Sequence, residues 1–117
     1  SKNISFTFNP HIMPTFRGIL SSIYLYKKEN VSFSKVVNTL RKEYSKNYFI
    51  KISKSNYPIG TGNILNTNFC QISVSKLKEK NKIVIFSTLD NLVKGAAGQA
   101  IQNMNLLFNF KENLGLK

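Results

Sequence analysis

The chain has 117 residues, 42% of them apolar, which is enough for one domain with a buried core. Its net charge is +12, from 17 basic and 5 acidic residues, but the lysines are scattered along the whole chain, which argues against a dedicated nucleic-acid-binding module. No apolar run approaches the roughly 20 residues of a membrane span. Since no signal-like apolar region stands at the start and a single cysteine excludes an internal disulfide, we expect a cytoplasmic protein that binds neither nucleic acid nor a membrane.

Two strands and a proline-bounded loop are predicted in the first part of the chain. Residues 4–8 alternate apolar and polar side chains, as a half-buried strand does. Residues 19–26 are rich in β-forming residues and predict a second strand. Between the two strands, Pro10 and Pro14 bracket a loop that carries His11, and their rings restrict the backbone on both sides of it.

The middle of the chain predicts one helix and three strands. Ser32 is a suitable N-cap, and apolar residues recur at helical spacing over residues 33–44 while charged residues face outward. Residues 53–66, with their glycines and proline, are predicted to form a loop. The further strands are predicted at residues 48–52, 69–77 and 82–88, the last two joined by a hairpin turn at residues 79–81.

A final helix begins at Asp90 and Asn91, whose side chains can accept hydrogen bonds from the free N–H groups of a first turn. Gly95 and Gly98 lie inside this helix at a cost of roughly 1 kcal/mol each, which a chain tolerates where a helix, a sheet or a ligand approaches the backbone closely. The amides that follow face water, a polar ligand or a neighbouring domain; they are Gln99, Gln102, Asn103 and Asn105. Apolar residues at every fourth position predict one buried stripe, formed by Leu92, Ala96, Ala100, Met104 and Phe108.

The predicted order of elements is strand, strand, helix, strand, strand, strand, helix. This order is typical of an α+β fold in which a largely antiparallel sheet is covered on one side by helices. The chain contains no internal repeat and no low-complexity linker.

Three side chains could carry chemistry, and each also has a structural interpretation. His11 is the only histidine and suits general acid–base work at neutral pH, although a lone histidine is more often structural or simply exposed. Arg17 suits bidentate contact with a phosphate or carboxylate, or lies on a solvated surface. Cys70 stands in an apolar strand, where a cysteine is usually a small core residue. The few scattered carboxylates form no convincing metal-binding set, so we expect no metal.

Longer motifs give a more specific indication. Residues 90–105 read Asp-Asn-Leu-Val-Lys-Gly-Ala-Ala-Gly-Gln-Ala-Ile-Gln-Asn-Met-Asn, and a Phe-x-Glu-x-x-Gly-Leu tail follows at residues 110–116. Near the start, residues 10–19 match a Pro-His-x-x-Pro-x-x-Arg-Gly-Ile segment, and residues 67–72 match a Thr-Asn-x-Cys-x-Ile strand start. In these motifs and in their order, the chain resembles the C-terminal part of the N-acetyl-gamma-glutamyl-phosphate reductase family, the NADPH-dependent enzymes of arginine biosynthesis.

The resemblance implies a role for several residues. His11 would be the acid–base partner of a cysteine nucleophile, and Arg17 would hold an anionic group of the small-molecule acyl-phosphate substrate. The residues implied to contact the NADP cofactor stand at the start of the last helix; they are Asn91, Lys94 and Gly95. In the family the nucleophile precedes the histidine motif, so the resemblance implies that Cys70 is not that nucleophile.

The resemblance also implies an architecture. Residues 1–89 would belong to a glyceraldehyde-phosphate-dehydrogenase-like catalytic and dimerisation domain, here incomplete, in a protein that forms a homo-oligomer. Residues 90–117 would pack on an N-terminal NADP-binding domain, which would carry the dinucleotide loop and which this chain lacks. We therefore expect the chain alone to have no reductase activity.

Two other interpretations compete with this one. The aspartate-semialdehyde dehydrogenases are sister acyl-phosphate reductases that share the Asn-Leu-x-Lys-Gly-Ala-Ala core, but they place their arginine before their histidine, whereas Arg17 follows His11 here. From another class, the chain could be a non-catalytic basic binding or dimerisation module. Heparin retention with a sequence preference would favour that module.

Overall fold

The computed structural model describes residues 5–117. It contains four strands and two main helices, which fall largely where the sequence predicts them. In chain order the elements are β1 (Ile19–Tyr26), α1 (Phe33–Glu43), β2 (Ile50–Ile52), a short 3-10 turn (Thr61–Asn63), β3 (Cys70–Lys76), β4 (Lys82–Leu89), a π-helical turn (Val93–Ala97) and α2 (Gly98–Leu107).

The four strands form one mixed sheet in the order β1-β4-β3-β2. Strands β3 and β4 form the predicted hairpin, with Val74 opposite Ile85, and β1 pairs antiparallel with β4 along its whole length. Only β2 runs parallel to its neighbour, with Ile50 opposite Cys70. The predicted α+β class with a largely antiparallel sheet is confirmed.

Helix α1 covers one face of the sheet and makes the apolar core. The Ser32 hydroxyl oxygen accepts a hydrogen bond from the Lys35 N–H at 3.1 Å, which is the predicted N-cap. Val37 is buried against Val74 and Ile83, because the apolar face of the helix lies on the hairpin strands. Further apolar side chains surround this cluster: Leu25, Phe33, Val36, Leu40 and Ile85.

The strand predicted at residues 4–8 is not present in the described part of the chain. Residues 5–8 belong to no strand and are exposed, and Ile4 lies outside the described residues. Alternating side chains supply an apolar face, but a strand also needs a partner for its backbone N–H and C=O groups. No other strand of residues 5–117 pairs with this segment.

The predicted buried stripe on the last helix is also wrong. Leu92, Met104 and Phe108 are each 45% exposed or more, whereas Gln102 and Asn105 are buried. The helix turns its amide face inward because that face finds hydrogen-bonding partners in the chain, while no described segment covers the apolar face. None of the described helices combines the length and the apolar character that crossing a bilayer requires.

Candidate functional site

The loop before β1 carries His11 in an exposed position. Its ring nitrogen Nδ1 lies 3.0 Å from the backbone carbonyl oxygen of Asn9. A carbonyl oxygen can only accept, so this contact places the proton of the neutral ring on Nδ1. The other nitrogen, Nε2, then has a lone pair, which is the form that a general base requires.

Six residues further on, Arg17 is paired with a buried carboxylate. A terminal guanidinium nitrogen, Nη2, lies 3.0 Å from each of the two carboxylate oxygens of Asp90. The other terminal nitrogen donates to the Asn66 side-chain oxygen at 2.6 Å. Asp90 is 0% exposed and the Arg17 side chain only 21%, so the ion pair is largely shielded from solvent. Arg17 thus has a structural partner, and its predicted role in substrate binding stays a prediction.

Asp90 is also the cap of the last helix, as the sequence predicts. Its Oδ1 accepts from the N–H groups of Leu92 and Val93 at 2.9 and 3.1 Å, and its Oδ2 accepts from the Asn66 N–H at 2.6 Å. Burial by itself opposes the charge and would raise the pKa of Asp90, but these three N–H groups and the Arg17 guanidinium outweigh it and lower the pKa. Asp90 is therefore ionised at neutral pH in the folded protein.

A second contact ties the same loop to the same helix start. The backbone N–H of Gly18 donates to the Asn91 side-chain oxygen at 2.6 Å. Gly18 has a φ of +103°, and a Cβ there would lie 2.7 Å from Cβ of Thr61. Glycine is required at this position for both reasons, because the backbone is left-handed and the 3-10 turn approaches it closely.

Three of the predicted site residues line one groove. An open groove of about 1570 Å³ runs along β1, and His11, Arg17 and Asn91 all contribute to its wall. Exposed apolar side chains of the loop and of β1 line it as well, among them Phe6, Phe8, Met13 and Tyr24. The tertiary structure therefore brings the implied acid–base residue, the implied anion-binding residue and one implied cofactor contact to the same surface.

Lys94 and Gly95 do not line that groove. The Lys94 ammonium donates to the Gln102 side-chain oxygen at 2.6 Å and lies 5.5 Å from the centre of the Phe49 ring. Burial lowers the pKa of Lys94, while the nearby Cys70 and Glu112 oppose that shift. Gly95 has room for a methyl group, since its nearest neighbour would be Cδ1 of Leu89 at 3.6 Å. The cofactor roles of both residues stay predictions.

A buried amide network holds the end of the chain on α2. The Gln102 side-chain oxygen accepts from the Asn68 amide at 2.9 Å, and its amide nitrogen donates to the Glu112 carboxylate at 2.7 Å. The Asn105 amide donates to the carbonyl oxygens of Glu112 and Leu114. Gln102 and Asn105 thus bind polar partners within the chain itself, whereas the sequence suggested water, a polar ligand or a neighbouring domain.

Some residues of the site carry no sequence signal for their role. Asn66 lies in a loop with a left-handed φ of 61°, which asparagine tolerates better than most residues, but nothing in that loop indicates its contacts with Arg17 and Asp90. Asp90 itself is recognisable from sequence only as a helix cap. The arginine that it also binds stands 73 positions earlier in the chain.

Cys70 is buried at the start of β3, and its Sγ lies 3.3 Å from the Ser87 hydroxyl oxygen. The prediction that it is a small core residue is confirmed. Among residues 5–117, no three histidine, cysteine or acidic side chains cluster closely enough to hold a metal ion.

The fold has a counterpart among solved structures. The fold is similar to that of aspartate semialdehyde dehydrogenase II from Vibrio cholerae, with a TM-score of 0.58 over 82% of this chain and 28% of that one. At 17% identity the likeness shows the fold alone. The chain belongs to the semialdehyde dehydrogenase family, since residues 1–91 match the model of that family's dimerisation domain.

Relatives from bacteria and archaea extend the match to nearly the whole chain. The N-acetyl-gamma-glutamyl-phosphate reductase of Thermoanaerobacter pseudethanolicus is 42% identical over 116 residues, or 98% of the chain. The reductases of Methanococcus maripaludis and Geotalea daltonii are 41% and 43% identical over 99% of the chain. The chain spans 33–34% of the length of these three relatives.

Proposed function

We propose that this chain is the C-terminal catalytic and dimerisation part of an NADPH-dependent N-acetyl-gamma-glutamyl-phosphate reductase. Such an enzyme reduces N-acetylglutamyl 5-phosphate to N-acetylglutamate 5-semialdehyde in arginine biosynthesis. The observation that carries the proposal is the identity of 41–43% to three reductases of that name, sustained over at least 98% of the chain. The placement of His11, Arg17 and Asn91 on one groove supports it.

His11 is the acid–base residue in this proposal. A cysteine thiolate from the part of the protein that precedes this chain attacks the acyl carbonyl, and phosphate leaves from the resulting tetrahedral species. His11 accepts the thiol proton at Nε2 and supplies a proton to the oxygen of the hemithioacetal that forms when hydride reduces the thioester. It takes that proton back when the C–S bond breaks, which releases the semialdehyde and returns the thiolate. The exposed ring and the carbonyl contact at Nδ1 support this role, because they leave Nε2 available as the base on a residue that lines the groove.

Arg17 meets the substrate anion with the part of its guanidinium group that Asp90 and Asn66 do not use. Both terminal nitrogens already donate, yet each carries two hydrogens, and the side chain keeps 21% of its surface exposed. A substrate carboxylate or phosphate would therefore be held by an arginine whose position is already determined by buried partners.

The helix start fits one end of a nicotinamide cofactor. With its oxygen occupied by the Gly18 N–H, the Asn91 amide offers its NH₂ group, which suits the carbonyl oxygen of the carboxamide. When bound, the cofactor supplies the hydride. The diphosphate would lie outside this chain, because Gly60 precedes and Gly62 lies within a three-residue 3-10 turn, and no helix that could hold phosphate follows these glycines directly. The exposed apolar face of α2 supports packing against a nucleotide-binding domain.

The proposal is tested with the full-length protein in the reverse direction. N-acetylglutamate semialdehyde, NADP and phosphate are mixed, and the absorbance of NADPH is followed. We expect a phosphate-dependent rise that His11→Asn lowers by about 10²–10⁴-fold, while the surface variant Glu79→Gln retains the wild-type rate. A rise with aspartate semialdehyde alone would assign the chain to the sister enzyme. No rise with either substrate would leave a non-catalytic module.

A further inference from the structure

We infer that Asp90 is a positioning residue, which locks the loop that carries His11 and Arg17 to the helix start that carries Asn91. This inference rests on the proposed function and extends it to a residue that touches neither substrate nor cofactor. It also gives Arg17 a second role, because the guanidinium group binds Asp90 and Asn66. We call the contacts of Arg17 and Gly18 with Asp90 and Asn91 the lock.

The contacts of Asp90 are directed to three separate segments. The carboxylate binds the Arg17 guanidinium at the end of the loop, the Asn66 N–H from the segment between β2 and β3, and two N–H groups of its own helix start. The side chain is completely buried, so water does not compete for these bonds. One charged group thus joins three parts of the chain that are distant in sequence.

A second, adjacent contact prevents the loop from rotating about the Arg17–Asp90 ion pair. Arg17 binds Asp90 through its side chain, and the next residue, Gly18, binds Asn91 through its backbone N–H. Two consecutive residues of the loop are therefore fastened to two consecutive residues of the helix start. A single contact would allow the loop to pivot, whereas two neighbouring contacts define its direction.

The loop depends on this attachment because its own contacts are local. Among the described residues before Arg17, the hydrogen bonds join His11 to Asn9 and Thr15 to Met13. These residues lie in no helix or strand, and their side chains are exposed. The hydrogen bonds that join this loop to the helix start are therefore those of residues 17 and 18.

A double-mutant cycle in the full-length protein tests the inference. Asp90→Asn, Arg17→Lys and the double variant are compared with wild type for kcat, for KM of both substrates and for Tm, with Glu79→Gln as the matched carboxylate-to-amide control. Glu79 suits this purpose because its ion pair with Lys82 lies at the exposed hairpin turn, at the opposite end of β4 from Asp90. Assays are run well below the lowest Tm of the set.

We expect each single variant to lower kcat by about 10–100-fold, because a small misplacement of catalytic groups costs about that much. Asp90→Asn should leave KM nearly unchanged, whereas Arg17→Lys should also raise KM for the acyl substrate, because Arg17 is proposed to hold its anionic group. The double variant should be no slower than the slower single variant. A merely structural Asp90 would lower Tm and leave kcat intact. If Asp90→Asn does not fold, Arg17→Lys carries the test alone through its loss of kcat at saturating substrate, where a change in KM no longer affects the rate.

Three results would overturn the inference. Asp90→Asn could be as active as Glu79→Gln, the losses of the two single variants could multiply in the double variant, or Arg17→Lys could raise KM for the acyl substrate without changing kcat. Each of these requires an active wild type and leaves the proposed function standing. An inactive wild type would instead refute the proposed function, and the inference with it.

Discussion

Gly98→Ala should destabilise the protein, because the first residue of α2 has no room for a methyl group. An added Cβ would lie 2.7 Å from Cγ1 of Val93 and 2.9 Å from its carbonyl oxygen, and it would also meet the side-chain oxygen of Asn68. Gly98 therefore lets Asn68 reach the helix closely enough to donate to Gln102 at 2.9 Å. Relief of the overlap requires a shift of the backbone or of this buried amide.

The size of the effect follows from three contributions. Overpacking of a tight site costs about 1–3 kcal/mol, and weakening the Asn68–Gln102 hydrogen bond costs about 1 kcal/mol more. Replacing a helical glycine by alanine raises the free energy of unfolding by about 1 kcal/mol through helix propensity. The free energy of unfolding should therefore fall by about 1–3 kcal/mol.

Gly95→Ala is the matched control, three residues earlier in the π-helical turn that leads into α2. Its new methyl group would have neighbours no closer than 3.6 Å, so only the gain in helix propensity remains. Thermal unfolding of the full-length protein is followed for both variants, and we expect a lower Tm for Gly98→Ala and an unchanged or higher Tm for Gly95→Ala. Equal Tm values for the two variants would refute the close approach at Gly98.

Three further predictions concern buried polar groups. The folded-state pKa of Asp90 lies below its unfolded value of about 3.9. Its contribution to the free energy of unfolding is therefore complete above that pH and is lost as the pH falls through the folded pKa. The Tm of Asp90→Asn should fall less than that of the wild type between pH 7 and pH 3. Gln102→Leu, which breaks three side-chain hydrogen bonds of a buried residue, should speed amide hydrogen exchange in residues 112–117, whereas Gln99→Leu at a more exposed position should not. Buried Cys70 should react slowly with a thiol reagent until the protein unfolds, and Cys70→Ala should keep its activity; rapid native labelling would contradict its place in the core.

The elements that the sequence predicts correctly are those with a local signal. Helix α1 has a cap at Ser32 and an apolar period that continues for eleven residues, and both are visible without any distant partner. The strand predicted at residues 4–8 also has a local signal, but it lacks the second requirement, a neighbouring strand. The cap at Asp90 belongs to the first group, because the N–H groups that it accepts from follow it directly.

The candidate site is predicted in part by the same logic. The motifs around His11 and Asn91 are contiguous, so their resemblance to a known family can be recognised residue by residue. That both contribute to one groove depends on the pairing of β1 with β4, which places Ile19 opposite Leu89 and so brings the loop before one strand to the end of the other. The interior position of the amides on α2 likewise depends on Asn68 and Glu112, which lie outside that helix.

The sequence by itself therefore determined the helices, the hairpin, the α+β class and the family of this chain, because periodicity, capping and contiguous motifs are properties of neighbouring residues. Only the tertiary structure decided which face of α2 is buried, which strand β2 joins, and that Arg17 and Asp90 form an ion pair across 73 positions. The sequence around a charged side chain does not indicate which residue it pairs with, since the energy of a buried pair arises only when folding removes both groups from water.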